Sequence, residues 1–302
     1  MHLWLTRASW LALPLACAAA IGDVSADWDT GPRTVALALA WAAWGVGIVA
    51  LLAPRPTGLT AIRTIAPAFA AAAVVAVAAG DIPAAAAIGA LVVTVVVAVL
   101  VAMPAFARTA AAGIAYGDEI RQPLRSPPGL YLGPIPLARA LAVAGVVAGP
   151  VLLAGGSVVG GSVALLVGLP ASWLALRSLH TLSTRWLILV PAGVVVLDPM
   201  TLADPVLFVR STIRSLQGVD GTAPVPDGTV DLRLGATAGT VALTTDGTVD
   251  IVRVRGRRRS GETFRPGRLL VAIAAPAPLL DEAARRRVPV VPATAGAATP
   301  RS

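Results

Sequence analysis

Residues 183–216 read STRWLILVPAGVVVLDPMTLADPVLFVRSTIRSL, and within them the chain changes character. Long apolar runs precede this stretch; short alternating segments, turn residues and arginines follow it. Residues 186–190 form an apolar strand pattern, Pro191, Ala192 and Gly193 a turn, and residues 194–197 a second strand. Asp198-Pro199 and Ala203-Asp204-Pro205 mark bends, residues 206–210 a third strand, and residues 213–216 close the stretch. The pattern predicts a membrane part that delivers a small β domain to one side of a bilayer.

Upstream, apolar residues come in blocks. The chain has 302 residues, 56% of them hydrophobic and only 13% charged, against about a quarter charged in soluble domains. Six segments are each near the length needed to cross about 30 Å of hydrocarbon: residues 3–21, 34–52, 64–79 (starting as early as Leu59), 84–106, 135–153 and 158–176. The first has two readings. Arg7, a short apolar run and Val24-Ser25-Ala26 have the form of a cleavable signal peptide, whereas a polytopic chain needs no separate signal. A retained helix is the expectation. Pro14 stands where a lipobox before Cys17 wants an aliphatic residue, so lipidation there is discounted.

The charges sort by side. Arg7, Arg55, Arg63, Arg108, Arg121, Arg125, Arg139 and Arg177 fall at one set of segment ends. Arg33 falls at the other, with Asp23, Asp27, Asp29 and Asp81. The positive-inside rule then places both termini in the cytoplasm of a bacterial plasma membrane. All 24 basic residues are arginine, which fits GC-rich codon usage better than selection for guanidinium chemistry. The net charge of +8 is explained first by this loop bias and by anionic lipid.

Little in the segments ionises. Transporters and proton pumps usually carry buried acids, histidines or paired charges at membrane depth, and Arg139 lies close enough to its helix end to snorkel. Pro67, Pro104, Pro150 and Pro170 keep a transporter or channel reading as the alternative, through kinked helices. Gly145 with Gly149, and Gly156 with Gly160, read as close helix packing rather than pore lining. Cys17 is the only cysteine, and His2 and His180 are the only histidines. No metal site or cofactor is expected.

The longest loop, residues 108–134, contains Asp118, Glu119, Arg121 and Arg125. Asp118 and Glu119 have the residue types of an acid/base or metal pair. Solvation or pairing with Arg121 is the expected use of them, so no enzyme is expected. This loop is also the candidate to dock onto the C-terminal domain or a partner, because it is too long and polar for a mere connector.

Beyond residue 216, Val230, Leu232 and Leu234 alternate with Asp231 and Arg233, and Val241 and Leu243 with Thr240, Ala242 and Thr244. Asp246-Gly247 predicts a hairpin turn into residues 249–255. Residues 268–274 form a last strand, and 276–287 a helix ending in Arg285, Arg286 and Arg287, where the dipole favours cations. Residues 289–302 are Ala/Pro/Thr-rich and expected to be disordered. The predicted fold is a six-helix transmembrane bundle over residues 1–178, then a small β-barrel or sandwich over residues 182–288 capped by that helix.

Arg185-Trp186-Leu187, the PAGVVV turn and PVLFVRSTIRSL resemble the bacterial pleckstrin-homology-like (PH-like) domains. The whole layout is similar to uncharacterised multi-pass membrane proteins of actinobacteria that end in such a domain. The likeness covers residues 182–287 and carries over no ligand residues. It implies a non-catalytic scaffold or regulator whose cytoplasmic domain meets lipid or a protein partner.

Arg253, Arg255, Arg257, Arg258, Arg259 and Arg265 concentrate charge on one predicted hairpin, with Val252 and Val254 turned inward. Beneath a bilayer such a hairpin suits anionic lipid headgroups, at about 1 kcal/mol per nearby arginine. No aromatic platform interleaves these arginines, so nucleic acid is not an expected partner.

Overall fold

The computed structural model describes residues 2–79, 82–113, 115, 117–254 and 262–292. It divides into two compact units, one of membrane helices and one of strands.

Six helices of the first unit are long and apolar enough to cross a membrane, the make-up of a multi-pass membrane protein. They are α1 (His2–Val24), α2 (Thr30–Leu52), α3 (Pro56–Ala79), α4 (Ala84–Ala102), α7 (Pro134–Ala154) and α8 (Val158–Ser183). Two short helices, α5 (Pro104–Ala112) and α6 (Pro128–Leu132), lie between α4 and α7. Helix four was expected to run on to residue 106, but it stops at Ala102. Pro104 removes a backbone donor and pushes Met103 to an extended conformation (φ −60°, ψ 142°), so the chain restarts as α5. Pro67, Pro150 and Pro170 instead lie inside continuous helices. Helix three starts at Pro56, earlier than expected, which puts Arg63 in its second turn.

The arginine-bearing ends do more than carry charge. A helix leaves its last four carbonyls without intrahelical donors. Arg7 donates from Nε and Nη2 to the Leu51 carbonyl at the end of α2 (3.2 and 2.8 Å). Arg63 does the same for α4, reaching Val101 O at 2.9 Å and Ala102 O at 3.1 Å. These contacts, and Thr60 Oγ1 beside His180 Nδ1 (3.0 Å), gather that set of helix ends in one place.

Helices α7 and α8 cross closely. A Cβ on Gly145 would overlap the Gly168 carbonyl and Ser172 Oγ, and one on Gly149 would overlap Leu165. The second glycine pair works differently: Gly156 sits in the turn with φ +79°, and it is Gly161, not Gly160, that faces Leu153 across the helices.

The second unit has two open sheets on one apolar core. The first runs β1 (Ile120–Pro123), β2 (Trp186–Val190), β3 (Gly193–Leu197), β4 (Val206–Val209), all antiparallel. The second contains β5 (Ile213–Gly218), β6 (Thr229–Asp231), β7 (Thr240–Thr245), β10 (Arg268–Ala272) and β11 (Val290–Val291), in the order β11-β5-β7-β10-β6. A small pair, β8 (Ile251–Val252) with β9 (Thr263–Phe264), stands apart. Leu187, Leu189, Val194 and Phe208 of the first sheet share the core with Leu216, Leu243, Leu269 and Val271 of the second. Leu279 and Ala283 of α9 (Pro276–Arg285) enter the same core.

Among the described strands no barrel closes. The ladder breaks at the 3-10 turn Arg210–Thr212, so β4 and β5 fall in different sheets. The Asp246-Gly247 turn forms, with Asp246 Oδ1 accepting from Thr248 N (3.1 Å) and Oγ1 (2.7 Å). It does not make the expected hairpin, because both edges of β7 are already taken by β5 and β10. Ile251, rather than Val252 or Val254, is the fully buried residue of β8. The alternation around Val230 ends early, since Leu234 takes φ +53° in a turn. Within the stretch expected to be disordered, Val290 and Val291 pair in parallel with Leu216 and Gln217, and residues 293–302 lie outside the described residues.

Candidate functional site

The loop residues come first, because Ala115–Leu130 folds with the chain from Thr184 onward. Ile120 to Pro123 pair with Leu189 to Trp186 as an edge strand, where a proline is tolerated. Leu124 N then donates to Arg185 O (3.1 Å) and Arg125 N to Ala272 O (2.8 Å). The loop thus joins the first sheet to the end of β10. Arg125 strengthens the joint through Nε to Ile273 O (3.2 Å). Its own carbonyl accepts from Arg185 Nη1 (2.9 Å).

Asp118 and Glu119 diverge. Glu119 Oε2 pairs with Arg121, at 3.2 Å from Nε and 2.8 Å from Nη2, as two neighbouring side chains of opposite charge on a strand end should. Asp118 is exposed and borders a cleft whose other residues are Pro191, Arg210, Glu282, Arg285, Arg286 and Arg287. Arg121 and Arg125 do not reach that cleft. Arg210 and the three arginines ending α9 are residues that the sequence reading did not single out as a site. The run Arg285-Arg286-Arg287 was the available signal, and it was assigned to the helix dipole.

The β8–β9 pair holds two of the six hairpin arginines. Arg253 is exposed, with its guanidinium carbon 5.8 Å from the Phe264 ring centroid; its N–H donates to Glu262 O (3.2 Å). Arg265 Nε meets Asp250 Oδ1 at 2.7 Å, and both side chains are largely exposed. That hydrogen bond holds the Asp250 carboxyl below the usual range. Arg255, Arg257, Arg258 and Arg259 lie outside the described residues. Ile251 pairs with Phe264 and Val252 with Thr263 in antiparallel register, so the segment carrying those four arginines begins and ends at neighbouring strands.

No group of three or more His, Cys, Asp or Glu side chains that could hold a metal occurs among the described residues. No protein-family model matches the chain, and neither a curated protein nor a solved structure matches it.

Proposed function

We propose that this is a non-catalytic membrane protein whose six helices anchor a cytoplasmic, PH-like domain that contacts anionic lipid headgroups through its arginine hairpin. The observation that carries the reading is the antiparallel β8–β9 pair. It draws Arg253 and Arg265 to the base of a connection containing four further arginines. At about 1 kcal/mol each near an anionic surface, three of them account for roughly a hundredfold in lipid affinity.

Other features support the reading. Arginines collect at one set of helix ends and aspartates at the other, which favours a cytoplasmic domain at the plasma membrane. Successive antiparallel strands followed by an amphipathic helix on the core favour the PH-like assignment. The strand β1, contributed from a loop between membrane helices, is a departure from that pattern. Glu119 paired with Arg121, and Asp118 among arginines, are poorly placed as general bases.

The test uses the full chain in phosphatidylcholine nanodiscs containing a photoreactive phosphatidylglycerol. Crosslinks are expected in peptides covering residues 249–268. They should weaken when salt rises from about 0.1 to about 1 M, which shortens the screening length from about 10 to about 3 Å. They should be lost when Arg257, Arg258 and Arg259 become Ser. Crosslinking confined to the membrane helices would refute lipid contact and leave protein capture as the use of the domain.

A further inference from the structure

The end of α9 forms a second, separate concentration of positive charge. Arg285, Arg286 and Arg287 follow one another there, and the fold brings Arg210, Glu282, Asp118 and Pro191 around the same open cleft of about 560 Å³. Neither Arg253 nor Arg265, the described arginines of the hairpin, borders it.

Three of the four guanidiniums, those of Arg210, Arg285 and Arg286, are anchored by protein acceptors, Arg285 through Nη2 as well as Nε. Arg210 Nη2 donates to Pro191 O at 2.6 Å. Arg285 Nε donates to Glu282 Oε2 at 2.7 Å, and Arg286 Nε to Glu282 Oε1 at 2.8 Å. Arg286 Nη1 also reaches Leu189 O at 3.4 Å. The Arg287 side chain has no hydrogen-bond or ion-pair partner among the described residues and is exposed. An arginine carries five N–H donors in a planar fork, so most donors of these four side chains have no acceptor among the described residues.

The helix dipole accounts for only part of this arrangement. It favours cations in the last turn, and Glu282 adds a local partner for Arg285 and Arg286. Neither explains Arg210, which comes from the 3-10 turn between β4 and β5, nor Arg287, whose backbone lies at φ +59°. That is the position after a helix where glycine is usual and a side chain is strained. Four guanidiniums against two carboxylates leave two positive charges uncompensated. Guanidinium forks match phosphate oxygens in pairs. A phosphomonoester near neutral pH carries close to two negative charges; a phosphodiester carries one.

We propose that the cleft formed by Arg210, Arg285, Arg286 and Arg287 binds a phosphomonoester group, either as free phosphate or as the headgroup of a lipid such as phosphatidic acid. The site stands whether or not the hairpin touches lipid.

The experiment has two arms on the full chain. In neutral detergent, inorganic phosphate is titrated by calorimetry. In phosphatidylcholine nanodiscs, photoreactive phosphatidic acid is crosslinked and mapped. Binding in the first arm assigns free phosphate; binding in the second alone assigns the lipid headgroup. In whichever arm binds, R285S/R287G should weaken it about tenfold or more, the scale of a charge-assisted hydrogen bond. Glycine suits the backbone at position 287 and Arg286 still pairs with Glu282, so this variant should stay folded, with at most a small drop in melting temperature from the lost, exposed Arg285–Glu282 pair. Asp118→Asn removes a competing carboxylate and should tighten binding. No binding in either arm, or binding unchanged by R285S/R287G, overturns the proposal.

Discussion

Arg185 and Asp198 form a buried, bidentate ion pair: Nε to Oδ1 and Nη2 to Oδ2 are both 2.7 Å, and the side chains are 1% and 0% exposed. The remaining donors of Arg185 reach Arg125 O (2.9 Å) and Leu232 O (3.2 Å), and Asp198 Oδ1 also accepts from Met200 N (3.1 Å). One guanidinium therefore ties the loop strand, the end of β3 and the end of β6. Removing one partner strands a buried charge, at about 3–5 kcal/mol. Arg185→Met or Asp198→Leu should lower the melting transition of the C-terminal unit by that amount. The double variant should recover much of the loss, because two apolar side chains leave no charge behind. Trp186 fluorescence during denaturation of the detergent-solubilised chain, set out as a double-mutant cycle, measures both. Additive losses would mean that the pair is not a coupled unit.

The loop strand yields a second prediction, about how the C-terminal unit is cut out. A fragment beginning at residue 184 lacks β1, so it exposes the β2 edge and leaves the Arg185 guanidinium without the Arg125 carbonyl. It should aggregate or melt early, as an unpaired apolar edge does. Pro123 faces Trp186 across the ladder. A short Gly-rich linker from residue 126 to residue 184 therefore makes β1 and β2 a hairpin, bypassing α7 and α8. The linked fragment, residues 117–126 joined to 184–292, should be the soluble, cooperatively melting one. Equal melting curves for the two fragments would show that β1 adds nothing.

These two cases mark where the sequence is readable. The membrane helices are legible because a span declares itself by length and composition within one continuous run, and Trp186–Val190 and Gly193–Leu197 are legible because the turn between them is written in Pro191, Ala192 and Gly193. Strand β1 is not: four residues including Arg121 and Pro123 carry no strand signal, and their partner lies beyond two membrane helices. The Asp246-Gly247 turn is legible as a turn, but its destination depends on β5 and β10 having occupied β7. The arginine cleft is hidden for the same reason, since Asp118, Arg210 and Arg287 meet only through tertiary structure. Glu119 with Arg121 is a local pair, and local reasoning found it.

Acid should destabilise the C-terminal unit through identifiable carboxylates. Arg233 donates Nε to Asp231 Oδ1 (2.9 Å) and Nη2 to Oδ2 (2.8 Å), and these bonds hold the Asp231 carboxyl below its usual range. Thr248 does the same to Asp246, Arg265 to Asp250, and Arg286 with Arg285 to Glu282. Each folded-state value is lower than the unfolded one, so the unfolded chain takes up protons first as pH falls. The stability these groups add is complete above their unfolded values of about 4 and is lost below that, toward the folded values. Melting temperature should be flat from neutral pH to about 5 and drop below about 4. Asp231→Asn should lower stability at neutral pH and make the acid loss shallower. An acid profile that Asp231→Asn leaves unaltered would remove this pair from the cause.

The first helix is predicted to be retained in the mature protein because its removal would open the bundle. Trp10 Nε1 donates to Trp44 O and Trp44 Nε1 to Trp10 O, both at 3.0 Å. Trp10 is fully buried, and its ring packs edge-on against Phe69 at 5.9 Å between centroids. Its six-membered ring occupies the space that a side chain at position 47 would need, so the Gly47 Cβ position falls inside the indole. Gly47→Leu must therefore displace Trp10 and break both hydrogen bonds. Overpacking of this kind costs about 1–3 kcal/mol, and each lost hydrogen bond about 1 kcal/mol more. The variant should show Trp10 fluorescence shifted to the red and faster proteolysis in α1, while Gly45→Leu, with open space around it, should be neutral. Intact-mass measurement of the membrane-extracted protein should return the full chain with residues 2–24. A species beginning near residue 26 would instead make this segment a cleaved signal and leave the Trp44 face of α2 to lipid.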